Sequence, residues 1–121
     1  MADERPDPIT IADFAKLDIR VGRVLSAEPL AGARKPAYTL RIDFGPEIGI
    51  RASSAQLTER YQPGDLVGRL VLGVVNLPPR RIAGFTSETL TLGVADHAGG
   101  VVLLAVDPAW AEGVPLGARM Y

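Results

Sequence analysis

Tyr38-Thr39-Leu40-Arg41-Ile42-Asp43-Phe44 decides the fold class. Large apolar side chains alternate without a break with Thr, Arg and Asp, which is the two-residue period of a strand with one buried face. Gly45-Pro46-Glu47 then predicts a turn, and Ile48 to Ser53 a third strand carrying Arg51.

Upstream, Ile19, Val21 and Val24 with Arg20 and Arg23 between them read as a first strand whose alternation slips near Gly22, the expected place for a bulge or sharp coil. Pro29 to Pro36 is a loop with Arg34 and Lys35 at its tip. Before the strands, Thr10-Ile11-Ala12-Asp13 resembles a capping box with Asp in place of Glu. It would open a short helix through Lys16 whose Ile11, Phe14 and Leu17 form an apolar stripe. Residues 1–9, with Pro6 and Pro8, are expected to be a disordered or extended tail. Residues 10–121 then form one domain, a length sufficient for a single core.

Downstream, the Ser53–Tyr61 segment predicts a serine-capped helical turn ended by Gln62-Pro63-Gly64-Asp65. Leu66 to Val75 is nearly continuously apolar, so its centre predicts a strand buried on both faces. That run stops at Asn76 and the pair Pro78-Pro79, which have fixed φ and no N–H. A stiff loop then presents Arg80 and Arg81, followed by Gly84, Phe85 and the polar Thr86-Ser87-Glu88. Leu90, Leu92 and Val94 predict another strand, and Val101 to Val106 its hairpin partner across Asp96–Gly100. Three strands, a short helix and two more strands, with glycine at a coiled first strand, fit a mainly β five-stranded Greek-key barrel, the OB-fold, with short flanking helices.

Composition excludes several kinds of chemistry. The chain has no cysteine and a single histidine, His97 in a Gly-rich turn, so no zinc cluster or thiolate nucleophile is expected. There is no Gly-x-Ser-x-Gly elbow and no phosphate-cradling glycine loop. The expectation is a protein that is not an enzyme and needs no cofactor. The acidic start lacks the apolar core of a signal peptide, and no apolar run reaches the ~20 residues of a membrane span. A cytoplasmic protein without membrane insertion is therefore expected.

A net charge of −1 argues against indiscriminate nucleic-acid binding, yet four of the fourteen acidic residues lie within residues 1–13. The remaining body is mildly basic, and most of its cations are arginine, suited to bidentate phosphate contacts. Arg34 and Lys35 on one loop, Arg41 and Arg51 outward from neighbouring strands, and Arg80 and Arg81 on the later loop are expected to share a face. Tyr61 and Phe85 are the aromatic side chains expected to be available for stacking, because Tyr38 and Phe44 point inward.

Three motifs carry a family likeness. Asp18-Ile19-Arg20-Val21-Gly22-Arg23-Val24, Ser53-Ser54-Ala55-Gln56-Leu57 and the run from Val75 to Glu88 resemble the export-related CsaA chaperones. These belong to the tRNA-binding OB domains also found at the C-terminus of many methionyl-tRNA synthetases. The likeness extends from about Phe14 to the C-terminus. It implies a homodimer that binds unfolded or presecretory polypeptides and works with the export machinery, with tRNA as an alternative partner. It also implies a tRNA- or peptide-binding surface from Arg34, Lys35, Arg41, Arg51, Ser53, Ser54, Asn76, Arg80, Arg81, Phe85 and Ser87. The dimer interface would include Ile11, Phe14, Leu17, Met120 and Tyr121. The tRNA-binding group has the loop Asn-Leu-x-Pro-Arg-Lys-x-x-Gly, then Ser-Gln-Gly-Met. The chain matches at Asn76, Leu77, Pro79, Arg80, Gly84 and Ser87, with Arg81 for Lys, and departs at Glu88, Thr89 and Leu90. A carboxylate at 88 opposes phosphate approach by simple Coulomb repulsion, so polypeptide binding is expected ahead of tRNA binding.

Overall fold

A computed structural model describes residues 5–121. The part of the expected tail at residues 1–4 lies outside the described residues, and residues 5–10 are exposed and outside any helix or strand. Helix α1 (Ile11–Phe14) starts at the expected capping box: Thr10 Oγ1 accepts from Asp13 N at 3.1 Å, and Thr10 N donates to Asp13 Oδ2 at 3.3 Å.

Strands β1 (Ile19–Pro29), β2 (Tyr38–Asp43), β3 (Ile50–Ala55), β4 (Leu70–Val74) and a short β7 (Leu90–Thr91) form one antiparallel sheet ordered β3-β2-β1-β4-β7. β1 is long enough to pair with β4 through its first half and with β2 through its second, which curls the sheet toward closure. The core inside the curl is Val24, Tyr38, Leu40, Ile42, Phe44, Leu57, Leu66 and Val71, as the alternation of β2 requires. Two small hairpins complete the chain: β5 (Arg80–Ile82) with β6 (Phe85–Ser87), and β8 (Gly93–Ala95) with β9 (Val101–Leu103).

The barrel seam, between β3 and the segment joining β6 to β7, is closed largely by side chains. Glu88 N donates to Ala52 O at 2.8 Å, while Ala52 N donates to the Glu88 carboxylate at 2.9 Å. Ser54 N donates to Ser87 Oγ at 3.0 Å. Ser53, fully buried, donates through Oγ to Thr89 O at 3.1 Å and shares a 2.8 Å hydrogen bond with Thr91 Oγ1.

Several expectations are corrected. The register break in β1 falls between Val24 and Ser26, not at Gly22. Gly22 instead makes room for the core: a Cβ there would sit 2.5 Å from Ile42 and 2.8 Å from the Phe44 ring. The third strand starts at Ile50, because Gly45 (φ +87°), Pro46 and Gly49 (φ +83°) build a single helical turn, α2 (Gly45–Ile48). A helical turn does close within the expected Ser53–Tyr61 segment, with Tyr61 N donating to Leu57 O at 3.1 Å, but no serine caps it, and the segment expected to end it forms a further turn, α3 (Pro63–Leu66), with Pro63 at its start and Gln62 N donating to Asp65 Oδ2 at 2.9 Å. Ser53 lies in β3 as the expected third strand has it, and Ser54 continues that strand instead of opening a helical turn. The strand expected from Leu90 to Val94 splits into β7 and β8, which pair with different partners.

The C-terminal tail returns to the barrel. Met120 N donates to Ile19 O, Gly117 N to Val21 O and Val21 N to Ala118 O, so the tail lies along the first residues of β1. Arg119 reaches across it to the carbonyls of Ala15 and Leu17, at 2.7 and 3.2 Å. Asp18 is central to this end, pairing with Arg20 and, at 3.6 Å, with Arg119.

Candidate binding groove

A groove of about 830 Å³ opens between the β1–β2 loop, the end of β3 and the β5–β6 hairpin. Its apolar wall is aliphatic, from Ala37, Ala55, Leu57, Ile82, Leu90 and Val101; its charged lining residues are Arg34, Lys35 and Arg80. All three cations are exposed, and none has a hydrogen-bond or ion-pair partner among the described residues. A loop and a hairpin strand hold them in water, where their charge is solvated and contacts with an anion stay open. The hairpin turns at Ala83 (φ +50°) and Gly84 (φ +81°), two consecutive left-handed residues, as a two-residue hairpin of type I′ requires. Arg81 donates to Thr86 Oγ1 at 2.7 Å across the hairpin.

The other expected site residues separate by role. Ser54 lines the groove. Arg41 and Arg51 do not share a face: Arg41 pairs with Ala52 while Ile42 pairs with Arg51, so strand alternation sends the two arginines to opposite sides. Arg41 is exposed and has no partner among the described residues, whereas Arg51 is half-buried and reaches Val75 O at 3.5 Å. Ser53 and Ser87 spend their hydroxyls on the seam. Asn76 engages both ends of its amide within the chain: its Oδ1 accepts from Asp18 N at 2.9 Å, and its Nδ2 donates to Lys16 O at 2.7 Å.

Neither stacking aromatic is open as expected. Phe85 is half-buried beside its cross-strand partner Ile82. Tyr61 has Arg69 over its ring at 5.2 Å, and its hydroxyl accepts from Leu103 N at 3.1 Å. Tyr61 thus joins β9 to the barrel. Glu88 lines a smaller pocket of about 140 Å³ beside Leu77, Pro78 and Arg80, its carboxylate fixed by Ala52 N.

At the opposite end of the sequence's reach, α1 and the tail enclose an apolar groove of about 370 Å³ lined by Ile11, Phe14, Ala15, Leu17, Arg119, Met120 and Tyr121. All five residues expected at a dimer interface therefore share one surface. Ile11 and Tyr121 are almost wholly exposed. Among the described residues, no helix is long and apolar enough to cross a membrane, and no group of three or more metal-ligating side chains occurs.

Comparison with known proteins agrees with this architecture. Residues 19–115 match the family model described as "Putative tRNA binding domain". The crystal structure of chaperone CsaA from Bacillus anthracis is 46% identical, with a TM-score of 0.84 over 94% of this chain and 99% of that one. The CsaA chaperone protein from Picrophilus torridus is 42% identical, with a TM-score of 0.85 over 94% of this chain and 100% of that one. The methionine–tRNA ligase of Bdellovibrio bacteriovorus is 37% identical over 119 residues, 98% of this chain. The chain spans only about 16% of that ligase's length. A barrel closed by the Ser87–Thr89 seam, a family match across most of its residues and near-complete overlap with two CsaA structures make one assignment: the chain belongs to the tRNA-binding domain family, as a CsaA-like OB-fold member.

Proposed function

We propose that this protein is a homodimeric, ATP-independent chaperone that binds unfolded or presecretory polypeptides in the cytoplasm and serves protein export, without being an enzyme. The observation that carries this reading is the groove's composition: an aliphatic wall with unpaired cations at its rim. Such a surface accepts extended segments through small apolar contacts, and the cations add attraction to carboxylates and carbonyls without demanding one sequence. With no energy source in the proposal, holding works by mass action, favouring the unfolded chain while the chaperone is in excess. Residues 10–121 act as one unit in this reading, with α1 and the tail supplying the face that meets a second copy. Their protruding Ile11 and Tyr121 flank the 370 Å³ apolar groove, the knob-and-recess arrangement that a two-fold interface needs.

The test is suppression of aggregation. A chemically denatured substrate diluted into equimolar protein should stay clear, and unchanged light scattering would refute the chaperone reading. Light scattering of the protein alone should give a dimeric mass; a monomer throughout the micromolar range would reject the second copy.

A specific observation also favours tRNA as a ligand: Arg34, Lys35, Arg41 and Arg80 all lack a partner among the described residues. Filter binding of bulk tRNA should then be salt-sensitive and weakened by the double substitution Arg80→Glu and Arg81→Glu. Retention that ignores both salt and the substitution would reject these residues as the phosphate-binding set.

A further inference from the structure

Helix α1 buries none of its residues, so its position on the barrel depends on hydrogen bonds more than on packing. Those bonds fall on the residues just past the helix, Ala15 to Asp18, and come from two places: Arg119 donates to Ala15 O and Leu17 O, while Asn76 donates to Lys16 O and accepts from Asp18 N. The backbone bond from Val75 N to Asp18 O, at 2.8 Å, reinforces the second. Phe14 and Leu17, which flank this junction, line the apolar end groove. On its other side Asn76 begins the segment Leu77-Pro78-Pro79-Arg80. Consecutive prolines fix φ and keep a segment extended, so a displacement at one end is passed on rather than absorbed. Arg80 is the first residue of β5 and lines the large groove, while Leu77 and Pro78 line the small pocket beside it.

We infer that Asn76 is a positioning residue that couples the two grooves: it joins the end face to the ligand groove, so a ligand in one changes affinity at the other. This rests on the proposed second copy at the end face and on ligand binding in the large groove. Asn76 fits the role because both halves of its amide are committed to the Lys16–Asp18 backbone while its own backbone continues into the proline strut. Coupling must be reciprocal: whatever factor dimerisation adds to ligand affinity, ligand adds to dimer affinity.

The experiment uses the full chain with reduced, carboxymethylated lactalbumin as a permanently unfolded probe, and bulk tRNA in a parallel series. Sedimentation measures the dimer dissociation constant with and without saturating probe. In the native protein, probe is expected to shift that constant by ~5-fold or more, within the usual range of coupling between linked sites. Asn76→Ala should keep both probe binding and dimerisation while reducing the shift to below about twofold. Asn76→Asp, which retains the acceptor for Asp18 N but loses the donor to Lys16 O, should give an intermediate shift. A merely structural role would lower thermal stability and leave the coupling factor intact, which would overturn the inference. A native dimer indifferent to both probes overturns it alone, and a native monomer, or a dimer that binds neither probe, overturns it together with the reading on which it rests. If Asn76→Ala fails to fold, the Asn76→Asp variant decides: an undiminished shift refutes the coupling.

Discussion

Replacing Ser53 with Ala separates a seam residue from a ligand residue. The Ser53 hydroxyl is wholly buried and makes two hydrogen bonds, to Thr89 O at 3.1 Å and to Thr91 Oγ1 at 2.8 Å. Losing it leaves polar partners on the barrel seam, at ~1–3 kcal/mol for a buried group left unsatisfied. The lower half of that range applies, because Thr89 O also accepts from Ser87 Oγ at 3.3 Å and keeps one donor. A domain of this size unfolds with an entropy of about 0.25 kcal/mol/K near its midpoint, so ~1–2 kcal/mol corresponds to a Tm lowered by roughly 4–8 °C. Differential scanning calorimetry gives the shift, and fluorescence titration with an unfolded polypeptide gives the affinity at a temperature where both forms are folded. The expected outcome is lower Tm with near-native affinity. A Tm within 1 °C of native, combined with a tenfold loss of affinity, would refute the seam argument and return Ser53 to the ligand surface.

Gly22→Ala should destabilise by ~1–3 kcal/mol through overpacking, since its Cβ would meet Ile42 and Phe44 below 3 Å, and urea unfolding reads this directly. Gly64→Ala, with no neighbour within 4 Å, is the matched control, and an equal loss in both would refute the packing account. Gly117→Ala combines a left-handed φ of +88° with a Cβ 2.6 Å from Phe44 O, so trypsin should cut after Arg119 faster than in the native chain, a change that undocking of the tail requires. The Arg60 guanidinium holds the Asp96 carboxyl down at about 2, with further help from Gly100 and Ala98 N–H, against an ordinary 3.8. A depressed folded value contributes stability above the ordinary pKa that fades as pH falls through about 2. The Tm of the native protein should therefore fall more steeply from pH 5 to pH 2 than that of Asp96→Asn, and parallel profiles would remove the pair from the acid response.

What the sequence made legible was local. The alternation from Tyr38 to Phe44 located both the strand and the core face, and Thr10 with Asp13 located the first helix start, because each signal is a short-range period or cap. Placement across strands was not legible. Arg41 and Arg51 both look like outward charges on neighbouring strands, but the register, set by distant pairing, puts them on opposite faces. Ser53 and Ser54 resemble a helix cap because serine favours caps, yet tertiary context recruits them to β3 and its seam. Tyr61 and Asn76 carry side chains suited to ligands, but distant backbone groups, Leu103 N for one and Lys16 O and Asp18 N for the other, occupy them. Arg34, Lys35 and Arg80 were legible as a cluster for the opposite reason: loop and hairpin charges with no partner among the described residues remain available.

The Ser87–Glu88 seam has a consequence for how this barrel meets other extended chains. An uncovered edge strand invites any passing segment to add to the sheet through its backbone. Here the amides of Ala52 and Ser54 and the carbonyl of Ala52 are already engaged by Glu88 and Ser87. A guest cannot be zipped onto β3 as an extra strand without first evicting those partners. For the proposed polypeptide guest this leaves side-chain contacts in the groove, individually weak and readily exchanged, as the means of holding at this edge, and it hinders two barrels from fusing through β3 into a continuous sheet.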